Sequence, residues 1–333
     1  MRAVIYTEPG NSSVLRLVDR EVPEPGPGEV RVAVRVSGVN PTDWKARRGQ
    51  LRYPEQVPNQ DGAGVIDAVG PGVAPGRIGD SVWLWEAAWM RPDGTAQEKV
   101  VLPSRQAVLM PPDMSFDLGA SLGIPFLTAH RCLTLRESGP HRLSPGALDD
   151  ITVLVAGGAG AVGNAAIQLA KWSGATVVTT VSSPEKAVLA TDAGAHFVIN
   201  YRDNDAAEVI RSVAPEGVDI VVEVAPHANA ALNGRVLASG GVVSMYSRDA
   251  DPTLPLEQVF ALNTRWQGVL VYTVPDDAKD HAVSSLREAV DMGAIRVGAE
   301  AGLPLHHFAL ADAAAAHDAV EDNAIGKVLI NVA

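Results

Sequence analysis

Three glycines, Gly158, Gly160 and Gly163, stand in G-x-G-x-x-G spacing between an apolar run, ITVLVA, and a helix-like one, NAAIQLAKWSG. Few short motifs narrow a fold further. The first glycine permits a tight turn, the second lets backbone approach a pyrophosphate, and the third lets a helix close on a strand. The free amides and positive dipole end of that helix then face phosphate oxygens. Downstream, TVVTTV, FVIN, VDIVVEVA and GVVSMYS read as strands, with PEKAVLATDAG, AAEVIRSVAP and NAALNGRVLASG as helices between them. Strands of unbroken Val and Ile belong to a parallel sheet covered on both faces. The expected fold is α/β, a doubly wound parallel sheet that binds a dinucleotide. WQGVLVYTV, Trp266 to Val274, supplies a further strand at the sheet edge, and DDAKDHAVSSLREAVDMG a helix from Asp276.

The residues before this region follow another rhythm. VRVAVRVSGV, GAGVIDAVG, DSVWLW and KVVLP are short β segments separated by turn chemistry, as in an antiparallel sheet. MSFDLGASLG and IPFLTAHRCLTL, between Met114 and Leu135, predict a pair of helices at a domain junction, and RESGPHRLSPGALDD a surface loop after it. The tail, through LPLHHF, ALADAAAAHDAVEDN and KVLINVA, is expected to return to the first domain.

Composition closes several function classes. Of 333 residues, 27 are Lys or Arg and 39 are Asp or Glu, a net charge of −12 that argues against nucleic acid or an anionic membrane as partner. One cysteine, Cys132, leaves no internal disulfide and no four-cysteine or Cys/His/Cys zinc site. MRAVIYTEPG does not read as a secretory leader, so a cytoplasmic address is expected. The uncharged window Ile151 to Ala170 is as long as a membrane span, but its four glycines, Asn164 and Gln168 argue against one.

Cofactor choice is read at the end of the second strand of the parallel sheet. A site for NAD usually places Asp or Glu there for the ribose hydroxyls, whereas this chain offers Ser182, Ser183 and then Lys186. Hydroxyls and a lysine suit a 2′-phosphate, and Tyr201 in VINYRD can flank the same group. The expected cofactor is NADPH.

GVNPTDWKARRG (Gly38 to Gly49), DGAGVIDAVG (Asp61 to Gly70), GIPFLTA (Gly123 to Ala129), AGGAGAVGNAAIQLAK, GAHFVINYR and GKVLINV follow one another along the chain. Together they resemble the zinc-independent branch of the medium-chain dehydrogenase/reductase superfamily, and within it the NADPH:quinone oxidoreductases of zeta-crystallin type. The resemblance implies a GroES-like, mainly-β substrate domain from residues 1–124 and 276–333, and a Rossmann domain from residues 125–275. It also implies a cleft between them and a homodimer or dimer of dimers. Position by position, it places the pyrophosphate loop on Ala159, Gly160, Ala161 and Val162, and the adenosine-phosphate contacts on Ser182, Lys186 and Tyr201. Asn229, Tyr246 and Ser247 follow as further cofactor positions, Leu270, Val271 and Tyr272 read the carboxamide, and Asn40 lies beside the nicotinamide ribose. Two departures stand out. Lys45 replaces a tyrosine that touches cofactor, as in alkenal and enone reductases of the branch. Asn59-Gln60-Asp61 stands where zinc-dependent relatives carry Gly-His-Glu, and Asp61 is expected to be structural or pocket-shaping.

Without a metal to polarise a carbonyl, the acceptor must already favour hydride, which means a quinone or an alkene conjugated to a carbonyl. Lys45 and Tyr53, in the loop expected to overhang the nicotinamide, are the candidate catalytic side chains. His306 and His307 are adjacent, so in a strand they face opposite ways and cannot share a metal. Cys132 lies in an apolar helical stretch and reads as a buried, inert thiol. Trp44, Trp83, Trp85 and Trp89 either line an aromatic cleft or fill the core. An NADPH-dependent quinone reductase is the leading expectation. The alternatives are a reductase of 2-alkenals or enoyl thioesters and a non-catalytic NADPH-binding protein with a structural or regulatory role.

Overall fold

In the computed structural model, which describes residues 1–332, two short strands, β1 (Arg2–Ile5) and β2 (Arg16–Asp19), pair antiparallel ahead of β3 (Glu29–Val39). Val30, Val32, Val34 and Val36 of β3 are buried while Arg35 is exposed, so the two-residue period of VRVAVRV becomes one wet and one dry face. Helix α1 (Pro41–Arg48) follows, then β4 (Asp61–Val69), β5 (Ser81–Leu84), β6 (Lys99–Pro103) and β7 (Ala107–Leu109). The pair of helices expected near Met114 is instead one, α2 (Phe116–Leu133), with Pro125 inside it. An internal proline costs a helix about 3 kcal/mol. Leu122, Phe126 and Leu127 beside it are at most 1% exposed, and burying each such side chain returns roughly 1.5–3 kcal/mol, so burial wins.

Beyond α2 the chain alternates strand and helix. β8 (Thr152–Ala156), α3 (Ala161–Trp172), β9 (Thr176–Val181), α4 (Pro184–Asp192), β10 (Phe197–Asn200), α5 (Ala206–Val213), β11 (Val218–Glu223), α6 (Pro226–Val236), β12 (Leu237–Met245), α7 (Leu256–Ala261), β13 (Arg265–Gly268) and α8 (Asp276–Asp291) follow in order. Their strands form a six-stranded parallel sheet ordered β10-β9-β8-β11-β12-β13. Strand order therefore reverses between β8 and β11, and a doubly wound sheet binds its ligand outside the strand ends at that point. The edge strand is shorter and more polar than WQGVLVYTV suggests. Its neighbour β12 ends at Met245, opposite Gly268, and Val271 to Thr273 then coil into a 3₁₀ turn with Val271 and Tyr272 buried.

The tail contributes α9 (Ala313–Glu321) and two strands, β14 (Leu305–Ala309) and β15 (Lys327–Asn331), which pair parallel with each other and extend the otherwise antiparallel sheet, ordered β14-β15-β3-β4-β5-β7 with β6 along β3. The chain divides into Met1–Ile124 with Leu305–Ala333 as one unit and Pro125–Pro304 as the other. The second expected boundary, at 275/276, is thus corrected to 304/305. Helix α8 belongs with the parallel sheet because its Ala282, Leu286 and Ala289 are buried there, and Ser285 Oγ donates to Leu143 O at 2.8 Å.

Two histidines sit inside this framework as neutral hydrogen-bonding groups. His130 Nε2 lies 3.1 Å from Ser285 Oγ, and His317 Nε2 lies 3.0 Å from Asn59 Oδ1. Burial pushes both imidazoles down to about 3, with nearby cationic groups adding to the effect. A depressed folded-state pKa gives stability that is present above the ordinary value of 6.5 and lost as pH falls toward 3. Each histidine should therefore contribute a slope of about 1.4 kcal/mol per pH unit below that value. Denaturant unfolding of His317→Leu, followed as pH is lowered through this window, should show a shallower acid loss than wild type; an unaltered slope would contradict this account.

Candidate functional site

The turn from β8 into α3 is built from residues that tolerate no side chain. Gly157 takes φ +73°, so it, and not Gly158, makes the tight turn that the motif's spacing assigns to its first glycine. A Cβ on Gly158 would lie 2.2 Å from Thr179 Oγ1, and one on Gly163 would lie 2.3 Å from Gly157 O. Gly160, by contrast, meets nothing closer than 3.5 Å, is exposed, and caps α3 without any side-chain acceptor. Ala159 is buried, while Ala161 and Val162 open the helix half-buried. The first amides of α3 therefore meet solvent across an open glycine surface. That cradle fits a pyrophosphate.

Because the strands run parallel, the segments that follow them share one edge of the sheet. Gly157 N donates to Thr180 O at 3.0 Å, which ties the turn to the end of β9. Ser182 and Ser183 come next; Ser183 caps α4 by accepting from Lys186 N, and Lys186 Nζ donates to Ser182 Oγ at 3.2 Å. Tyr201 N donates to Val181 O at 3.1 Å, which brings Tyr201, 51% exposed, beside the serines. The structure thus brings these four residues together at the end of β9.

The other side of the crevice holds the remaining positions. Asn229 lies on α6, half-buried, and its Nδ2 donates to Glu223 Oε1 at 2.9 Å. Tyr246 and Ser247 follow β12, and Tyr246 N donates to Glu223 O at 3.0 Å, with burial pushing the Tyr246 phenol up. Leu270 is exposed ahead of the 3₁₀ turn, and Tyr272 O accepts from Lys279 Nζ at 3.1 Å. Sequence reading missed Gly157 and Glu223. A carboxylate closing an otherwise apolar strand, VDIVVE, was the available signal for the second.

In the antiparallel unit the candidate residues separate. Asn40 is 2% exposed and engaged at both ends: Nδ2 donates to Asp61 Oδ2 and Oδ1 accepts from Lys327 Nζ, each at 2.7 Å. Asp61 also accepts from Ile124 N at 2.9 Å, and its carboxylate lies 3.5 Å from Lys327 Nζ. Asp43, buried in the first turn of α1, accepts from Asn40 N at 2.7 Å; burial first, and then the charge of Asp61, push its carboxyl up to about 8. Lys45 is exposed on α1 rather than in a loop, with Nζ 5.6 Å from the Trp44 ring centroid. Tyr53 donates its hydroxyl proton to Met90 O at 2.6 Å. Trp83 and Trp85, each 2% exposed, fill the core and line no cleft, whereas Trp44 and Trp89 are half-buried.

Residues 26–112 match the alcohol dehydrogenase GroES-like domain family, and residues 161–288 match the zinc-binding dehydrogenase family. The synaptic vesicle membrane protein VAT-1 homolog of Rattus norvegicus is 34% identical over 272 residues, 80% of this chain and 64% of that protein. The chain therefore spans less than two thirds of that relative. Quinone oxidoreductase of the same organism is 29% identical over 339 residues, 99% of this chain and 97% of its own. The chain belongs to the medium-chain dehydrogenase/reductase family. Among solved structures, an NAD-dependent alcohol dehydrogenase superposes with a TM-score of 0.86 at 29% identity over 100% of both chains. A mycobacterial protein solved in complex with NADPH gives 0.81 at 29% identity over 99% of both.

One matching family is named for zinc, and the donor set here does not fit it. Asn59, Gln60 and Asp61 are taken up by Ser37 and His317, by Ala88 N, and by Asn40 and Lys327 respectively. Cys132 is fully buried, and burial pushes its thiol up. His306 bonds Ile325 O while His307 faces Asn331 and Asp117, so the two rings part company. Among the described residues no group of three or more His, Cys, Asp or Glu is arranged to hold a metal, and no helix is long and apolar enough to cross a membrane.

The glycine cradle of this medium-chain dehydrogenase/reductase makes a direct test. Gly163→Ala should lower stability by about 1–3 kcal/mol through overpacking, whereas Gly160→Ala should unfold in denaturant like wild type. Equal stability of the two variants would show that the close approach at 163 relaxes freely.

Proposed function

We propose that this oxidoreductase binds NADPH on the parallel-sheet unit and reduces a quinone by hydride transfer. The observation that carries the cofactor choice is the end of β9, where the strand leads into Ser182 and Ser183 instead of a carboxylate and Lys186 and Tyr201 lie beside them, with Glu185 hydrogen-bonded to Ser183 in the first turn of α4. Three hydroxyls and an ammonium favour a 2′-phosphate, which a terminal Asp or Glu would repel. The NADPH-bound mycobacterial relative supports the same reading. When bound, the cofactor supplies the hydride; the chain orients it, and α3 and the glycine turn neutralise its pyrophosphate. The quinone oxidoreductase relative, matched over nearly its whole length, supports the acceptor class.

Lys45 is the side chain that supports a second acceptor class, alkenes conjugated to a carbonyl, since an ammonium can hydrogen-bond or protonate the oxygen that gains charge. It is exposed and has no acidic partner among the described residues, whereas the Tyr53 proton is held by Met90 O. Partnering with a second copy of the chain is part of the same proposal. Edge strand β13 has one face of its ladder unpaired, with Phe260 78% and Leu270 54% exposed nearby.

Loss of reduced-nicotinamide absorbance, followed with a benzoquinone, a phenanthrenequinone, a 2-alkenal and a 2-enoyl thioester, tests the function. Quinone turnover with NADPH is the expected result. Turnover of the alkenal or thioester alone assigns the chain to the second class, and NADPH binding with no acceptor reduced replaces both by a non-catalytic binding role. Lys186→Ala should weaken NADPH about tenfold, about 1.4 kcal/mol, and leave NADH unchanged. Lys45→Met should lower turnover by about a hundredfold if it serves as a general acid, while Tyr53→Phe should leave turnover near wild type. Light scattering that shows a monomer at micromolar concentration would remove the dimer.

A further inference from the structure

Glu223 closes β11, beside the point where strand order reverses against β8, and it has no exposure. Three donors hold its carboxylate: Ala225 N at 2.7 Å and Asn229 Nδ2 at 2.9 Å on Oε1, and Asn233 Nδ2 at 2.7 Å on Oε2. An ionised carboxylate only accepts, so it dictates which way a neighbouring amide turns. The NH2 end of Asn229 faces Glu223. Its Oδ1 is left free, accepting no hydrogen bond from any described residue.

The free oxygen belongs to the segment that lies against the glycine turn. Val224 Cγ1 is the only neighbour that a Cβ on Gly157 would meet, at 3.3 Å. The first amides of α6 are already taken, because His227 N and Ala228 N donate to the two oxygens of Asp249 at 3.0 and 3.1 Å. An anion is therefore not wanted at this helix start, in contrast to the open start of α3. What Asn229 leaves unengaged on α6 is an acceptor.

We infer that Glu223 is a positioning residue which presents Asn229 to the dinucleotide as a fixed acceptor, so that this side of the crevice selects a hydroxyl or amide N–H of the cofactor. The inference rests on the dinucleotide reading of the site and adds to it the polarity of one contact and the residue that enforces it. Glutamine at 223 keeps the shape but can turn either end toward Asn229, which releases the amide.

A double-mutant cycle on NADPH affinity tests this, with dissociation constants measured by fluorescence titration for wild type, Glu223→Gln, Asn229→Ala and the combined variant. Glu223→Gln should weaken NADPH by about fivefold to tenfold, the loss of one oriented hydrogen bond. In the Asn229→Ala background the same substitution should change affinity by less than about twofold. A penalty that persists at full size in that background marks a general effect on the fold and overturns the inference, as does an unchanged Glu223→Gln. Should Glu223→Gln fail to fold, a crystal structure of the wild-type complex with NADPH decides. Asn229 Oδ1 within hydrogen-bond reach of a cofactor O–H or N–H supports the inference; Nδ2 turned to the cofactor, or no contact, overturns it. Failure of wild type to bind either NADPH or NADH overturns the underlying dinucleotide reading and this inference with it, and the wild-type titration alone separates that outcome from the others.

Discussion

The first turn of α3 lies so near the end of β8 that a Cβ at position 163 would stand 2.3 Å from Gly157 O. Everything the parallel unit can do for an anionic ligand depends on that approach. A helix start aims its amides and dipole at the crevice only if the helix begins directly against the strand end. Gly158 lies beneath, against Thr179 Oγ1, and Thr179 in turn donates to Val155 O at 2.7 Å, so the turn, β8 and β9 are fixed together. Gly157 reverses the chain with positive φ, and Gly160 leaves the surface open. The four glycines have four separate reasons, and the parallel sheet then delivers every other ligand-facing loop to the same edge.

The alternation of apolar strand and helix was legible in the chain because parallel strands bury both faces and read as unbroken Val and Ile. The period of two in β3 was equally plain, since one face meets the core and the other water. What could not be read was set by contacts across the fold. Pro125 argues locally for two helices, and only the burial of Leu122, Phe126 and Leu127 keeps α2 continuous. WQGVLVYTV has the composition of a strand, but a strand runs no further than its neighbour, and β12 stops at Met245. The need for glycine at 158, where Thr179 fills the space a side chain would take, is likewise set by a contact across the fold. Lys327 and Asn40 are 287 residues apart, a separation at which no spacing rule operates.

The antiparallel unit carries a different burden, a buried cluster of charge. Asp43, Asp61 and Lys327 are all at most 3% exposed. An isolated buried ion costs several kcal/mol, and the attraction between paired ions offsets this only when further hydrogen bonds satisfy both. Lys327 has Asn40 and Asp61; Asp61 has Asn40, Ile124 N and Lys327. Two carboxylates against one ammonium would leave a net negative charge, which burial opposes. Burial and the charge of Asp61 raise the Asp43 carboxyl to about 8, and burial also raises Asp61 and lowers Lys327, so desolvation pushes each member toward its neutral form. Breaking the arrangement by removing one member leaves an unpaired buried charge, which ties β15 to β3, and both to the start of α1, in one register.

Asn40 and Asn229 show what such charges do to an amide. Both were read as ligand-facing from resemblance, and in both the Nδ2 end donates to a buried carboxylate. They differ in the other end. Lys327 occupies Asn40 Oδ1, so the amide is spanned by an anion and a cation, and turning it would set its donor against the ammonium and its oxygen against the carboxylate. Asn40 is thereby fixed at both ends at the start of α1. Asn229, half-buried on α6, has Glu223 on one side and, among the described residues, no cation on the other. One charged partner makes an amide directional, and two make it part of the core.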